Sequence, residues 1–405
     1  LFRLKKLGPG LLFAGAAIGV CHLVQSTRAG ADFGWGLLWA LLLVNLFKYP
    51  FFQFGPRYAL ATGESLLDGY FKLGKIYLWL YFILNIATMF TIQTAVTIVT
   101  AGLASNLFNT STDIVYWSIG VTVICYIILL IGRYQLLDRV IKVIVVVLTI
   151  SSVLAVMIAT TKCNASLEFT QVFPEGAGLL FVISFMGWMP APMDISIWHS
   201  IWVLEKRNDL KNKLSLEEGI FDFNVGYLTT VILGICFVGL GAMVMFDSGI
   251  EFSDKGNEFA GQLIVLYTSN LGESWYGVIA IAALTTMIST TITTLDASPR
   301  VMSKTIQLLF KQKNKDYYIL FITILALGTC LIFLFLLSEM GLLVKIATVL
   351  SFITAPFYAI LNYHLITSKH MPVVDRPSQK IKILSILGII FLTGFTGVYL
   401  LSLSI

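Results

Sequence analysis

Met186–Ser196 reads MGWMPAPMDIS. The stretch lies inside an apolar run, Ala177–Leu204, long enough to cross a bilayer. Pro190 and Pro192 remove two backbone donors and disrupt the turn before each. A regular helix is therefore not expected through the middle of this run. In lipid, freed backbone groups persist only where protein or a water-filled cavity meets them. A second apolar run, Gly10–Ala29, breaks its pattern in a similar way. It opens on LGPG and continues from Gly15 to Gly30 as GAAIGVCHLVQSTRAG. Cys21, His22, Gln25 and Arg28 stand where a plain anchor would carry leucines.

Outward from these two stretches the whole chain is apolar. Of its 405 residues, 57% are hydrophobic and 12% charged. Mean hydropathy is +0.86, whereas a soluble domain carries about 25% charged residues. The runs are continuously apolar rather than alternating, which excludes a β-barrel. The fold class expected is an all-α polytopic membrane protein. Eleven spans are expected: Gly10–Ala29, Gly34–Ala61, Ile76–Leu107, Ile114–Ile131, Leu136–Thr160, Ala177–Leu204, Phe221–Met245, Glu273–Leu295, Tyr317–Leu337, Leu342–Ile366 and Ile383–Ile405. No separate signal peptide is expected, the first run being part of the fold. Cys21, Cys125, Cys163, Cys236 and Cys330 are odd in number, and four lie in apolar runs, so no disulfide framework is suggested. No Walker loop, zincin motif or nucleophile elbow is present. The loops are too short for a nucleotide-binding domain. These features exclude an enzyme and an ATP-driven pump, and no cofactor is implied.

Basic residues sort to one side. Arg3, Lys5 and Lys6 precede span 1, Lys72 and Lys75 follow span 2, and Arg133 follows span 4. Lys206, Arg207, Lys211 and Lys213 follow span 6. Arg300, Lys304, Lys311, Lys313 and Lys315 follow span 8, and Lys369, Arg376 and Lys380 follow span 10. The opposite loops carry Asp247, Glu251 and Asp254. The charge bias puts the N-terminus in the cytoplasm, in a multi-pass protein of the plasma membrane. The net charge of +5 belongs to this bias and calls for no nucleic acid. The partners implied are the lipid bilayer and a small ion or small-molecule substrate, with no obligatory protein partner.

The two interruptions fall five spans apart. Paired broken helices in corresponding positions of two halves mark an inverted-repeat transporter with a midplane site. On this reading residues 1–170 form the first repeat, 171–370 the second, and 371–405 an additional helix. The competing reading is a pair of unrelated Pro/Gly kinks in a receptor or scaffold that moves nothing.

Several stretches resemble the Nramp family of divalent-metal transporters. LGPGLLFAG (Leu7–Gly15), FGWGLLWALLLVN (Phe33–Asn45), the Met189-Pro190 pair, the WHS of Trp198–Ser200, STTITTLDAS (Ser289–Ser298) and SFITAPFYAI (Ser351–Ile360) are similar to family helices. The resemblance implies a leucine-transporter-like 5+5 inverted repeat, working by alternating access through broken helices 1 and 6. Departures from the family lie in the chemistry. The family's first helix carries Asp-Pro-Gly-Asn, whose acid and amide bind the metal; an ungapped alignment puts Gly19, Val20, Cys21 and His22 there. In span 6 the distance from Met189 to His199 is about three residues longer than the family's. Aligned from the left, Met189 takes the thioether's place and Ala191 that of a histidine. Aligned from the right, Asp194 takes the histidine's place and Pro192 the methionine's. Both registers stay open. Span 3 lacks the family's acids and offers Asn85, Gln93 and threonines, and the basic residues of the ninth helix are missing. Family-type proton coupling is therefore not expected.

Asp194 is the strongest candidate, since ionisable groups inside spans are costly and usually functional. It also suits a helix N-cap. His22 suits zinc, copper, iron or nickel rather than magnesium or calcium. With Met189 these give the expected metal ligands Asp194, His22 and Met189, beside carbonyls near Gly19 and Met186. Cys21 and Met186, taken singly, read as packing residues. Thr354, before Pro356, is placed at the edge of the site. Gln25, Ser26 and Thr27 either line the outer path or satisfy one another. The leucine-transporter fold places sodium between the first break and the hydroxyls of helix 8, here Ser289, Thr290 and Thr291. Such hydroxyls can also bond inertly to their own helix. Asp296 reads as an interfacial charge beside Arg300. Lys48, half-way along span 2, must snorkel, pair with a group such as Asp194, or face a cavity, where its ammonium could replace a coupling ion. The cargo expected is a divalent cation at an altered site; the alternative is a small organic solute, sodium-coupled or uncoupled.

Overall fold

The computed structural model describes residues 8–108, 113–131, 134–162, 169–209, 215–246, 253, 256–272, 276–312, 314–335 and 340–402. Arg3, Lys5, Lys6, Arg133, Lys211, Lys213, Lys313, Asp247, Glu251, Asp254 and Cys163 lie outside the described residues. Of the described residues 86% are helical, and no strand occurs among them. In order the helices are α1 (Pro9–Ala17), a π-helical turn (Cys21–Ser26), α2 (Thr27–Phe33), α3 (Leu38–Thr62), α4 (Leu66–Leu73), α5 (Lys75–Leu107), α6 (Ile114–Ile131), α7 (Tyr134–Lys162), α8 (Ala177–Trp188), α9 (Ile195–Asp209), α10 (Leu216–Val244), α11 (Gly256–Leu271), α12 (Tyr276–Leu309), α13 (Tyr318–Phe335), α14 (Met340–Thr367) and α15 (Gln379–Ser402).

Six of these, α5, α6, α10, α13, α14 and α15, are long and apolar enough to cross a membrane. The bent pair of α1 with Cys21–Phe33 raises that to as many as seven. Helical residues lie along every expected range. Two helices were not expected. α4 begins with a capping box: Ser65 Oγ accepts from Asp68 N–H at 3.3 Å, and the Asp68 carboxylate accepts from Ser65 N–H at 3.0 Å. A second box, Ser215 with Glu218, starts α10 at Leu216 rather than Phe221. α11 is the other addition. α12 runs on to Leu309, past the expected end at Leu295, because Val301, Met302 and Leu309 still find burial.

α1 and α2 press against α10 at backbone distance. A Cβ on Gly226 would lie 2.0 Å from Gly10 O, and one on Gly30 would lie 2.0 Å from Val238 O. Small residues allow this approach, the usual way helices associate in lipid. Asp222 of α10 fixes the start of α1. Its carboxylate accepts from the N–H of Gly8 at 3.0 Å and of Gly10 at 2.7 Å. A charge there suits the positive end of α1.

Candidate transport site

The first break follows from Ala16–Val20. α1 stops at Ala17, Ile18 is extended (φ −78°, ψ 91°), and the helix resumes as the π turn at Cys21, with a 51° bend between the halves. Gly19 is required there: a Cβ would fall 2.8 Å from Thr290 Cγ2. The Thr290 hydroxyl lies 3.4 Å from Gly15 O, 3.2 Å from Ile18 O and 3.1 Å from Thr286 O. Of the three hydroxyls expected at this position, only Thr290 meets carbonyls of the first break. Thr291 turns to α5, 2.7 Å from Thr100 Oγ1. Ser289 Oγ is buried without a hydrogen-bond partner.

His22 is fully buried. Its Nδ1 lies 3.2 Å from Ala17 O and its Nε2 lies 2.9 Å from Thr230 O of α10. Both ring nitrogens thus face carbonyls. A neutral imidazole has only one N–H to give, so one of these contacts is not a hydrogen bond. Cys21 connects the two breaks. Its thiol lies 2.6 Å from Ala17 O and 3.3 Å from Pro190 O.

The second break spans Met189–Asp194, with a cis Met189–Pro190 peptide. Met189 is buried against Gly234 of α10; its Sδ lies 3.5 Å from where a Cβ would stand. The Asp194 carbonyl starts α9, accepting from Ile197 N–H at 2.8 Å and Trp198 N–H at 3.3 Å. Its side chain is buried, and Oδ1 has no hydrogen-bond partner. Lys48 does not snorkel. It is fully buried, and its ammonium donates to Met186 O at 2.7 Å, Gly187 O at 2.8 Å and, more loosely, Ala191 O at 3.4 Å. A cation at the carbonyl end of α8 is what the helix dipole favours. Pro190 and Pro192 bring no N–H, and the helix stops, so these carbonyls need an outside donor.

His22 and Met189 therefore share the α10 side, at Thr230 and Gly234, one helical turn apart. Asp194 instead opens α9, where Ser196 two residues on is hydrogen-bonded to Asn362 of α14. Among the described residues, no group of three or more His, Cys, Asp or Glu side chains is placed to hold a metal ion. Thr354 bonds to Leu350 O and Ser351 O of its own helix. Ser26 does the same with Cys21 O, while Gln25 reaches Ser184 Oγ at 3.3 Å. Asp296 pairs with Arg300 at 2.7 Å and takes a bond from Tyr318 at 2.6 Å. The sequence reading missed Asp222, Tyr81 and Tyr358. An acid and a tyrosine inside apolar runs were visible signals for the first two.

Two cavities bracket this region. One of about 20 Å³, roughly the room for a water, lies between the breaks and is lined by Gly19, Cys21, Trp188, Pro192, Trp198 and Thr290, among others. A larger one of about 400 Å³ opens beside α2, α8 and α14, where Arg28, Asp32 and Lys345 meet. Gln25 and Ser184 stand at its wall, hydrogen-bonded to each other, and behind them Ser184 and Thr348 lie 2.5 Å apart.

A helical membrane bundle in which two broken segments meet at polar backbone is the arrangement of a transporter fold. The chain belongs to the Nramp family (natural resistance-associated macrophage protein-like), which matches residues 10–402. It is an integral multi-pass membrane protein of the leucine-transporter-like type. An uncharacterized protein of Pasteurella multocida is 37% identical over 405 residues, covering 98% of this chain and 92% of that one. Metal transporter Nramp2 of Oryza sativa subsp. japonica is 24% identical over 77% of this chain, which spans 61% of the rice protein's length. A mutant of the manganese transporter of Eremococcus coleocola superposes with TM-score 0.74 at 14% identity, over 97% of this chain and 85% of that one.

Proposed function

We propose that this chain is a secondary-active or facilitative transporter working by alternating access, its cargo passing between the breaks at Ile18–Val20 and Met189–Asp194. The reading takes the eleven spans as a 5+5 inverted repeat plus one helix, with the N-terminus in the cytoplasm and the protein in the plasma membrane. The observation that carries it is the meeting of the breaks: Cys21 faces Pro190 O, and Thr290 faces Gly15 O and Ile18 O. Polar backbone from both broken spans thus comes together. Gln25 and Ser184, at the wall of the larger cavity, are the candidate barrier on the way to this point.

For the cargo, a divalent cation at an altered site is the first reading, with Asp194, His22 and Met189 as ligands that a rearrangement would gather. Family membership and the relatives named as metal transporters support it. The second reading is a small organic solute, sodium-coupled or uncoupled. One observation favours it: the Lys48 ammonium already occupies the Met186 and Gly187 carbonyls. A fixed charge repels a second unit charge at 4 Å by about 4 kcal/mol at an effective dielectric constant of 20, and a divalent ion by about twice that.

Titration calorimetry of the purified protein with manganese, zinc, magnesium and sodium, beside Asp194→Ala and His22→Ala, tests the site. Saturable divalent binding lost in both variants supports the metal reading. Proteoliposome uptake then tests the cargo: sodium-stimulated solute uptake indifferent to divalent metal supports the second reading. Flux of nothing under any gradient sinks both.

A further inference from the structure

The Asp194 carboxylate has neighbours that the cargo reading does not use. Tyr81 of α5 and Tyr358 of α14 are fully or almost fully buried, with ring centroids 6.1 Å apart. Neither phenol oxygen has a hydrogen-bond partner, and Asp194 Oδ1 has none either. Asp194 lies two residues before Ser196 at the start of α9, and Ser196 is hydrogen-bonded to Asn362, one turn along α14 from Tyr358.

The surroundings make these orphans notable. Tyr70 packs beside Tyr81, with ring centroids 6.4 Å apart. Its hydroxyl donates to Asn362 Oδ1 at 2.5 Å, and Asn362 Nδ2 donates to Ser196 Oγ at 3.1 Å. That chain runs between α4, α14 and α9 and leaves none of its three side chains without a bond. Buried polar groups are almost always paired, and the exceptions call for an explanation. Exceptions occur elsewhere too, at His199 and Ser289 for example, but Asp194, Tyr81 and Tyr358 stand on three helices that pack around this chain of bonds. Asn85, one turn along α5 from Tyr81 and so on the same face, is also buried with both amide atoms unpartnered.

We propose that Asp194, Tyr81 and Tyr358 form a binding site for a hard monovalent cation, sodium being the reference ion, apart from the Thr290 position. The donor set is all oxygen, which suits a hard ion and not a soft transition metal. It carries one negative charge, which matches one positive charge and would leave a divalent ion half-neutralised in a low-dielectric interior. Asn85 Oδ1 is a further unpartnered oxygen on the same face of α5. The site joins the start of α9, immediately after the second break, to α5 and α14. Occupation would therefore tie the moving end of a broken span to two continuous helices.

The test is sodium binding to the purified full chain, by calorimetry and by sodium-dependent thermal stabilisation, with manganese titrated in parallel. Tyr81→Phe and Tyr358→Phe keep the rings and remove one oxygen each. Each is expected to weaken sodium binding about tenfold or more, the effect of one lost bond to a charged group. The double variant and Asp194→Asn should lose it, with manganese binding unchanged in the tyrosine variants. Absence of saturable sodium or potassium binding in the parent overturns the proposal. So does sodium binding that survives the double tyrosine substitution. Should Asp194→Asn fail to fold, the tyrosine variants decide. Loss of manganese binding in Asp194→Asn, with sodium never bound, keeps the metal reading and discards this one.

Discussion

Lys48→Met removes the ammonium from the carbonyl end of α8 while filling nearly the same volume. The structure sets two opposed effects. Two short bonds, to Met186 O and Gly187 O, disappear. Bonds to a charged group contribute about 1.5–3 kcal/mol each, so about 3–6 kcal/mol is lost. Against this, an ion no longer has to be buried, and that relief offsets part of the loss. A net destabilisation of about 1–4 kcal/mol is expected. The second effect concerns ions. With the fixed charge gone, repulsion of about 4 kcal/mol on a cation 4 Å away is relieved, a gain of about a thousandfold in affinity. The carbonyls of Met186 and Gly187 are then free to take sodium or potassium. The assay is thermal unfolding in detergent over a series of sodium and potassium concentrations, with parent and variant side by side. The variant should melt lower without salt ions and recover as sodium or potassium rises. A Lys48→Met protein as stable as the parent, and stabilised by either ion no more than the parent is, would refute the reasoning.

Three other outcomes follow from close contacts. Gly19→Ala should destabilise by about 1–3 kcal/mol, because its Cβ would stand 2.8 Å from Thr290 Cγ2; Thr290→Ser, which deletes that methyl, should restore much of the loss in a double-variant melt. Asp222→Asn should cost about 1–2 kcal/mol by weakening the charged cap on Gly8 and Gly10, read as a lower melting temperature. Gly226→Ala forces a Cβ to within 2.0 Å of Gly10 O, a backbone atom that cannot step aside; size-exclusion chromatography should show the variant poorly folded or aggregated.

How much of this was legible beforehand depended on the kind of signal. Pro190 and Pro192 announce a break by covalent chemistry, and α8 does end at Trp188. Gly19 announces a weak point but not its cause, which is a threonine 271 positions away in sequence. Capping boxes at Ser65 and Ser215 are present in the letters but easily passed over, because attention to apolar runs favours span-length helices. The destination of Lys48 was open among three possibilities. Burial and the proline-stripped carbonyls of span 6 decide it, and neither can be seen along span 2 alone. The partners of Asp194 were hidden for the same reason: Tyr81 and Tyr358 look like ordinary aromatics until three helices converge. Substrate chemistry was the least legible part, since family motifs fix a fold more tightly than they fix a ligand.

The glycine crossings on α10 have a mechanical side. Gly226 pins α10 to the beginning of the first broken span, and Gly241 pins it to the end, where a Cβ would lie 2.2 Å from Thr27 O. A rod fastened at both ends to a jointed arm cannot slide along it; the joint flexes only if the rod bows or rides with it. α10 has glycines between the fasteners, at Gly234 and Gly239. Gly234 is where Met189 of the other broken span rests its sulfur. One helix thus touches both joints, the first near its two ends and the second at its middle.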